Sequence, residues 1–311
     1  MIAAGYNRIM AIRNLIAPVV CAAALVPCLL SQKADDKRPP ILGVAHIALK
    51  TNDMAAAQEF YGHYLGFAQI GALPPHGVGF KVNDHQFIFV ADTLMGDEDR
   101  LDHIAFETPD ARQLRSYLAD HGVKVPATLD PDLDGNFSFM VEDPEGHHIE
   151  FVEYRKGSSV SREFGKNLAK SRISDRIIHC GFTIQDPAAA DKFYADALGF
   201  HATWHGGMTD TKTDWVDMRV PDGPDWLEYM LNQPHPSVKT RGVMNHLALG
   251  VPDAQAAYRE LQKRGLKMDG PPKIGRDGKW QLNLYDPNFT RAELMEPNPV
   301  QPPCCSPFLD K

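Results

Sequence analysis

The chain has 311 residues, 43% of them hydrophobic, with 24 glycines and 24 prolines, enough for one large or two medium globular domains. Its formal net charge is −8 and it carries no basic block, which argues against nucleic acid as a partner. Five cysteines without zinc-type spacing argue against a zinc-finger framework.

In chain order, Arg8 and Arg13 come first, followed by the apolar run "LIAPVVCAAALVPCLL" from Leu15 to Leu30 and a polar exit. This pattern reads as a secretory signal over residues 1–34. It implies an exported protein, periplasmic or secreted, with no stable membrane span after processing; the alternative is a membrane anchor formed by the same segment. Cys21 and Cys28 would leave with it. A short strand at Val44–Leu49 carries His46, and a helix over "NDMAAAQEFYGHYLG" follows. Another strand, Asp102–Phe106, carries His103 and precedes the helix "PDARQLRSYLADHG". Apolar residues recur at helical spacing in both helices, an Asp opens each and Gly closes it. Alternating runs "FSFMVED" and "HIEFVEY" then read as strands. Residues 155–175 are polar and lack alternation, as a linker would. After them come Ile177–Ile184 with His179, the helix "DPAAADKFYADALG", Asn245–Leu249 with His246, the helix "PDAQAAYRELQKRG", and the strands "WQLNLYD" and "RAELMEP". Cys180 reads as a small core residue. The tail, 298–311, is Pro-rich and holds Cys304 and Cys305, which an exported protein could use for an intermolecular disulfide.

The order repeats. Phe60 in "QEFYGHYLGF" and Phe193 in "DKFYADALGF" are 193 − 60 = 133 apart, as are His46 and His179. His103 and His246 are 246 − 103 = 143 apart, as are Glu150 and Glu293. The chain is therefore a duplication whose second copy carries ten extra residues, expected in "HGGMTDTKTD", residues 205–214. Each copy is itself two βαβββ units. Each copy closes on an Asp-Pro turn and a strand with a Glu among apolar residues, "DPEGHHIEF" and "DPNFTRAEL". A carboxylate there needs a compensating charge.

These motifs resemble the vicinal oxygen chelate superfamily, which includes glyoxalase I, bleomycin resistance proteins and extradiol dioxygenases. The resemblance covers about residues 41–297. It implies an α+β fold of four βαβββ modules paired into two cup-shaped sheets, with 41–154 as the first domain, 155–175 as the linker and 176–297 as the second. It also implies one divalent transition metal (Fe, Mn, Ni, Co or Zn) held by His179, Glu228, His246 and Glu293. A second candidate set is His46, His103 and Glu150, a two-His-one-carboxylate pattern. Its fourth position falls near "NDHQFIFVAD", where hairpin register favours Phe87 over His85. The expected reaction is that of a glyoxalase-I-like lyase, isomerase or epimerase on a small substrate with vicinal oxygens, with Glu228 or Glu293 as the catalytic proton carrier. The alternatives are a ring-cleaving non-haem iron dioxygenase and a metal-free, bleomycin-resistance-like binder walled by aromatics such as Trp204, Trp215, Trp226, Trp280, Tyr285 and Phe289. Ring-cleaving members usually carry a Tyr three residues before the Asp of the closing turn; here Asn283 and Met140 stand there. Arg219, Arg241, Lys273 and Arg276 are expected at solvated surface, and oligomeric state is left open.

Overall fold

The structure is a computed structural model that describes residues 37–73, 77–233 and 237–309; the expected signal segment, 1–34, lies outside them. In chain order the first half forms β1 (Gly43–Thr51), α1 (Met54–Gln58) running into a π-helical turn (Glu59–Tyr64), β2 (Ala68–Leu73), β3 (Gly77–Lys81), β4 (Phe87–Asp92), β5 (Leu101–Glu107), α2 (Ala111–Asp120), β6 (Phe137–Glu142) and β7 (His148–Glu153). The second half forms β8 (Ile177–Thr183), α3 (Pro187–Asp191) with its own π-helical turn (Lys192–Ala197), β9 (His201–Gly206), β10 (Trp215–Arg219), β11 (Trp226–Met230), α4 (Val238–Met244), β12 (His246–Gly250), α5 (Ala254–Lys263), β13 (Lys273–Ile274), β14 (Trp280–Tyr285) and β15 (Arg291–Met295). No helix among the described residues is long and apolar enough to cross a membrane.

Local chemistry explains the helix boundaries. Asp53, Asp110, Asp186 and Asp253 each accept a backbone N–H three residues on, satisfying a donor that the first turn leaves orphaned. Gly66 and Gly199 follow the π-helical turns with φ of +75° and +78°, a left-handed conformation that costs glycine little.

Each half makes its own sheet from its two units. The strand orders are β2-β3-β4-β1-β5-β7-β6 and β13-β14-β15-β12-β8-β11-β10-β9. At the centre of each, the first strands of the two units run antiparallel, β1 beside β5 and β8 beside β12, and each pairs in parallel with the last strand of its own unit. The second strand is reduced in the second and fourth units, to an isolated bridge at Pro131–Phe137 and to the two residues of β13.

Alternation sorts the side chains. Ile47, Leu49, Ile104, Phe106, Ile149 and Phe151 enter a core that is continuous across both halves. His46, His103 and Glu150, one residue out of phase with them, take the other face. The register also locates the ten extra residues. Lys81 corresponds to Arg219 (219 − 81 = 138), Phe87 to Trp226 (226 − 87 = 139) and His103 to His246 (143). Five of the ten therefore lie between β9 and β10, one at the β10–β11 turn and four between β11 and β12, where α4 stands, rather than all in residues 205–214 as the sequence suggested.

The halves are locked by reciprocal contacts. Tyr61 donates to Asp286 Oδ2 and Tyr194 to Asp143 Oδ2, each at 3.0 Å. The Asp of each closing turn thus anchors the helix of the opposite half. Gln86 spans the backbone N–H and C=O of Ile177 (2.8 and 2.9 Å), while Asp225, at the corresponding position, accepts from Val44 N (3.0 Å). The polar linker is tied down too, because the fully buried Lys81 ammonium is held by the carbonyls of Glu163 and Lys166 and by Asp84. Cys180 is buried as expected. Cys304 and Cys305 are bonded to each other, so neither is left for an intermolecular link; the tail that carries them seats on β9 through Trp204 Nε1–H to Cys304 O (3.0 Å).

Removing either buried tyrosine hydroxyl should loosen the junction between halves. Tyr61→Phe and Tyr194→Phe are each expected to lower unfolding free energy by about 1–2 kcal/mol. Urea denaturation checks this, and a change indistinguishable from zero for both would mean that these bonds do not hold the halves together.

Candidate metal centres

Both expected ligand sets converge. In the first half, His46 Nε2 lies 2.9 Å from His103 Nε2, and Glu150 Oε2 lies 3.0 and 3.1 Å from the two nitrogens. These three atoms come from β1, β5 and β7, adjacent strands whose curvature aims them at one point. Two ligands bound at about 2.1 Å to one ion are about 3.0 Å apart at right angles and about 3.4 Å apart at the tetrahedral angle. The observed separations therefore fit three mutually perpendicular positions of an octahedron, a facial triad with three positions left open.

The surroundings support that role. Asp102 Oδ2 accepts from His103 Nδ1 at 2.8 Å, which turns the Nε2 lone pair inward. Burial alone would favour a neutral His103, but hydrogen bonds to Asp102 and Glu150 outweigh it and raise the imidazole to about 9. Burial likewise pushes Glu150 up, yet the two imidazoles hold it well below the usual carboxylate range. His46 is lowered by burial. Without a metal the triad thus retains a proton, mainly on His103.

The fourth position of the first set is Phe89. His46 pairs with Phe87 as His179 pairs with Trp226, so the residue corresponding to Glu228 is two further along β4. Phe89 packs its ring 4.6 Å from that of His46. Phe87 also faces the cup, one step from the ligands, because it shares Phe89's side of the strand. His85 is excluded: it precedes β4, is largely exposed and pairs with Glu107 at 3.0 Å. Beside the triad opens a cavity of about 310 Å³ lined by Ala48, Phe89, Val152, Tyr154 and Val160, with Asp132, Asp134 and Asn136 on one wall. Burial and nearby carboxylates keep the Tyr154 phenol well above its usual value, hence protonated.

In the second half, His179 Nε2 lies 3.1 Å from His246 Nε2. Glu228 Oε2 is 4.0 and 3.3 Å from them, and Glu293 Oε2 is 3.6 and 3.8 Å. Gly181 makes room for the His246 ring: a Cβ there would fall 2.1 Å from Cε1. This set is looser, and it contains a cation. The Arg291 guanidinium stands 2.8 Å from His246 Nε2 and 3.9 Å from Glu228 Oε2. Burial drives both imidazoles well below their usual value, an effect that Arg291 reinforces. It also lifts Glu293 to about 7 and raises Glu228, against the opposing charge of Arg291. The cavity, about 210 Å³, is lined by Trp204 and Trp215 and by Asp217, Asp277, Arg276 and Arg291. Arg276 is exposed as expected and also lines this cup, pairing with Asp210. Of the other aromatics, Trp226 packs 4.9 Å from the His179 ring, whereas Tyr285 and Phe289 are exposed.

Asp102, Phe89, Tyr154 and Arg291 were not singled out by sequence. Arg291 could have been, since it lies two residues before Glu293 and so shares its face of the strand.

The sequence matches the Glyoxalase/Bleomycin resistance protein/Dioxygenase superfamily over residues 43–151 and 176–294, and the chain belongs to that superfamily. No curated protein matches it. Among solved structures it is similar to the 2,3-dioxygenase LapB from Pseudomonas sp. KL28 (TM-score 0.66, 17% identity, 86% of this chain and 97% of that one). It is also similar to an extradiol ring-cleaving dioxygenase from B. fuscum (0.64, 18%, 85% and 74%) and to the Mn(II)-bound glyoxalase from Novosphingobium aromaticivorans (0.62, 19%, 83% and 83%). At these identities the likeness is one of fold.

The proton on His103 sets a pH dependence. Below about 9 the metal-free triad is protonated, so ion uptake must release that proton and affinity should rise with pH, about tenfold per unit, levelling off near 9. Asp102→Asn removes the negative charge that raises His103 and should shift the levelling to lower pH. Mn(II) titrations between pH 6 and 9.5 measure both; an affinity independent of pH would contradict the assignment.

Proposed function

We propose that the chain is a divalent-metal-dependent enzyme whose reaction centre is the first-half triad, and that it acts on a small substrate presenting two neighbouring oxygens, with oxygen-dependent chemistry of the dioxygenase type. The observation that carries this reading is the set of separations, 2.9, 3.0 and 3.1 Å, among His46, His103 and Glu150. A bound Fe(II) or Mn(II) ion would supply Lewis acidity to the two substrate oxygens and leave a third position for a co-substrate. Glu150 contributes the one fixed negative charge, and Asp102 fixes the orientation of His103. Phe89, Val152 and Val160 limit water beside the triad, and Tyr154 lines the cavity as a protonated phenol whose hydroxyl donates to His85 O at 3.3 Å. The structures named above include an extradiol ring-cleaving dioxygenase, which accords with an apolar cavity of this size.

A second reading places a lyase or isomerase in the second half. It is favoured by Glu293, whose carboxyl is pushed up to about 7 and is thus suited to carry a proton near neutral pH. Against it stands Arg291, a cation 2.8 Å from His246 Nε2 and 3.9 Å from Glu228 Oε2. Placement of the protein outside the cytosol, from its N-terminal segment, remains part of the proposal.

Metal content per chain separates the two. The parent protein should hold one equivalent of Mn(II) or Fe(II). Glu150→Gln should weaken binding by at least about a hundredfold, whereas Glu293→Gln should retain the ion. Arg291→Met should open the second set and allow a second equivalent. Loss of the ion only in Glu293→Gln would transfer the centre to the second half.

A further inference from the structure

The first cup is walled by apolar side chains and by carboxylates, and among the described residues that line it there is no lysine or arginine. Asp132 and Asp134 stand on the Pro131–Phe137 loop, opposite the apolar wall of Phe89 and Tyr154. The loop is held: Asp132 N donates to Asn136 O at 2.9 Å, Asp132 Oδ1 accepts from Asn136 N at 2.8 Å, and Asp134 O accepts from Ser159 N at 2.8 Å. Arg162, which acts on Asp134, is hydrogen-bonded to Gly157 O and Ser159 Oγ, and the Lys50 ammonium stands 3.7 Å from the lining carboxylate of Asp102. The corresponding loop of the second half differs in sign, since Asn136 corresponds to Lys279 (offset 143) and Arg276 from the same loop lines that cup.

We propose that the first cup selects neutral or cationic, amine-bearing vicinal diols over anionic ones, and that Asp132 and Asp134 set this preference. This rests on the first cup being the diol-binding centre. An ammonium group entering beside the two carboxylates is attracted across a partly desolvated gap, and a carboxylate entering there meets like charge. Burial raises the pKa of both Asp132 and Asp134, and Glu150 adds to it, against the opposing pull of Ser159, His46 and Arg162 on Asp134. Discrimination then comes as much from repulsion of the wrong ligand as from attraction of the right one. Phe89 and Tyr154 supply flat apolar surface suited to an aromatic ring bearing the diol.

The test uses the full chain loaded with Mn(II), kept anaerobic at low ionic strength so that the charges are not screened. Three diols of one scaffold are titrated by calorimetry: catechol, 4-(2-aminoethyl)catechol and 3,4-dihydroxyphenylacetate. The amine is expected to bind at least about tenfold more tightly than the acid. In Asp132→Asn/Asp134→Asn the ratio should fall to within about threefold, and in Asp134→Lys it should invert. Because each comparison is a ratio within one protein, a general loss of folding would move both ligands together. Equal or tighter binding of the acid, or a ratio unchanged by the substitutions, overturns the proposal while leaving the diol centre standing. If Mn(II) is held but none of the three diols binds, the diol centre itself is wrong, and the proposal falls with it.

Discussion

Two imidazole nitrogens 2.9 Å apart, each about 3 Å from the same carboxylate oxygen, cannot all keep their lone pairs facing one another. Some positive charge must stand among them, a shared proton or a cation. That requirement explains why a strand bound for the interior carries Glu150, and it dictates much of the sheet. The three side chains must leave adjacent strands on the same face and at the same height, so the pairing register of β1, β5 and β7 is fixed by them as well as by the apolar face beneath. A one-residue slip in any strand would turn its ligand into the core and an apolar residue into the cup.

Rigidity of the cups comes from the contacts between halves. Tyr61 with Asp286 and Tyr194 with Asp143 are symmetric in position but not in charge. Asp286 is pushed up to about 6 by burial, whereas Asp143 stays low because His147 joins Tyr194 on it despite burial. Gln86 and Asp225 meet at 3.1 Å between the two sheets, each also binding the first strand of the opposite half. The Asp-Pro turns therefore do two things. Their own backbone N–H groups close on the Asp, and the second carboxylate oxygen reaches across to the other half's helix. The linker, far from hanging free, supplies carbonyls to Lys81 that no water could replace in a fully buried site.

Much of this was legible because the duplication offers two readings of every motif. Matched offsets of 133 and 143 identified His46, His103, Glu150 and their counterparts without any structure, and the structure brings both sets together. What failed was local. The fourth ligand position was assigned to Phe87 by counting from a turn whose length differs between halves, whereas the parallel pairing with β1 places Phe89 there. The extra residues were assigned to one conspicuous loop because sequence shows a changed offset only where the next motif occurs; three separate small insertions give the same total. Asp102 was hidden by being next to His103 on a strand, where neighbours are expected to face opposite sides, although its carboxylate reaches His103 Nδ1 at 2.8 Å. The partnership of Cys304 and Cys305 with each other was hidden because adjacent cysteines more readily suggest two separate bonds.

The divergence of the two cups is best understood as an exchange of one charge source for another. Each copy begins with the same strands and the same two histidines. The second adds Glu228 and, near it, Asp217, has Asp277 where the first has Asp134, and also adds Arg291, Arg276 and Lys279. It therefore carries cations of its own, and burial removes much of the remaining negative charge by raising Glu228 and Glu293. The first replaces Glu228 with Phe89 and has no such cation among its described lining residues, so the charge on Glu150 is met only by a proton on His103 or by something that enters from outside. A cup that is electrostatically complete gains little from an ion, whereas one that is incomplete gains a great deal. The residue that stands in the fourth ligand position of the first cup, Phe89, is also part of its aromatic wall, so the ligand set and the binding cavity of this cup differ from those of the second at one and the same place.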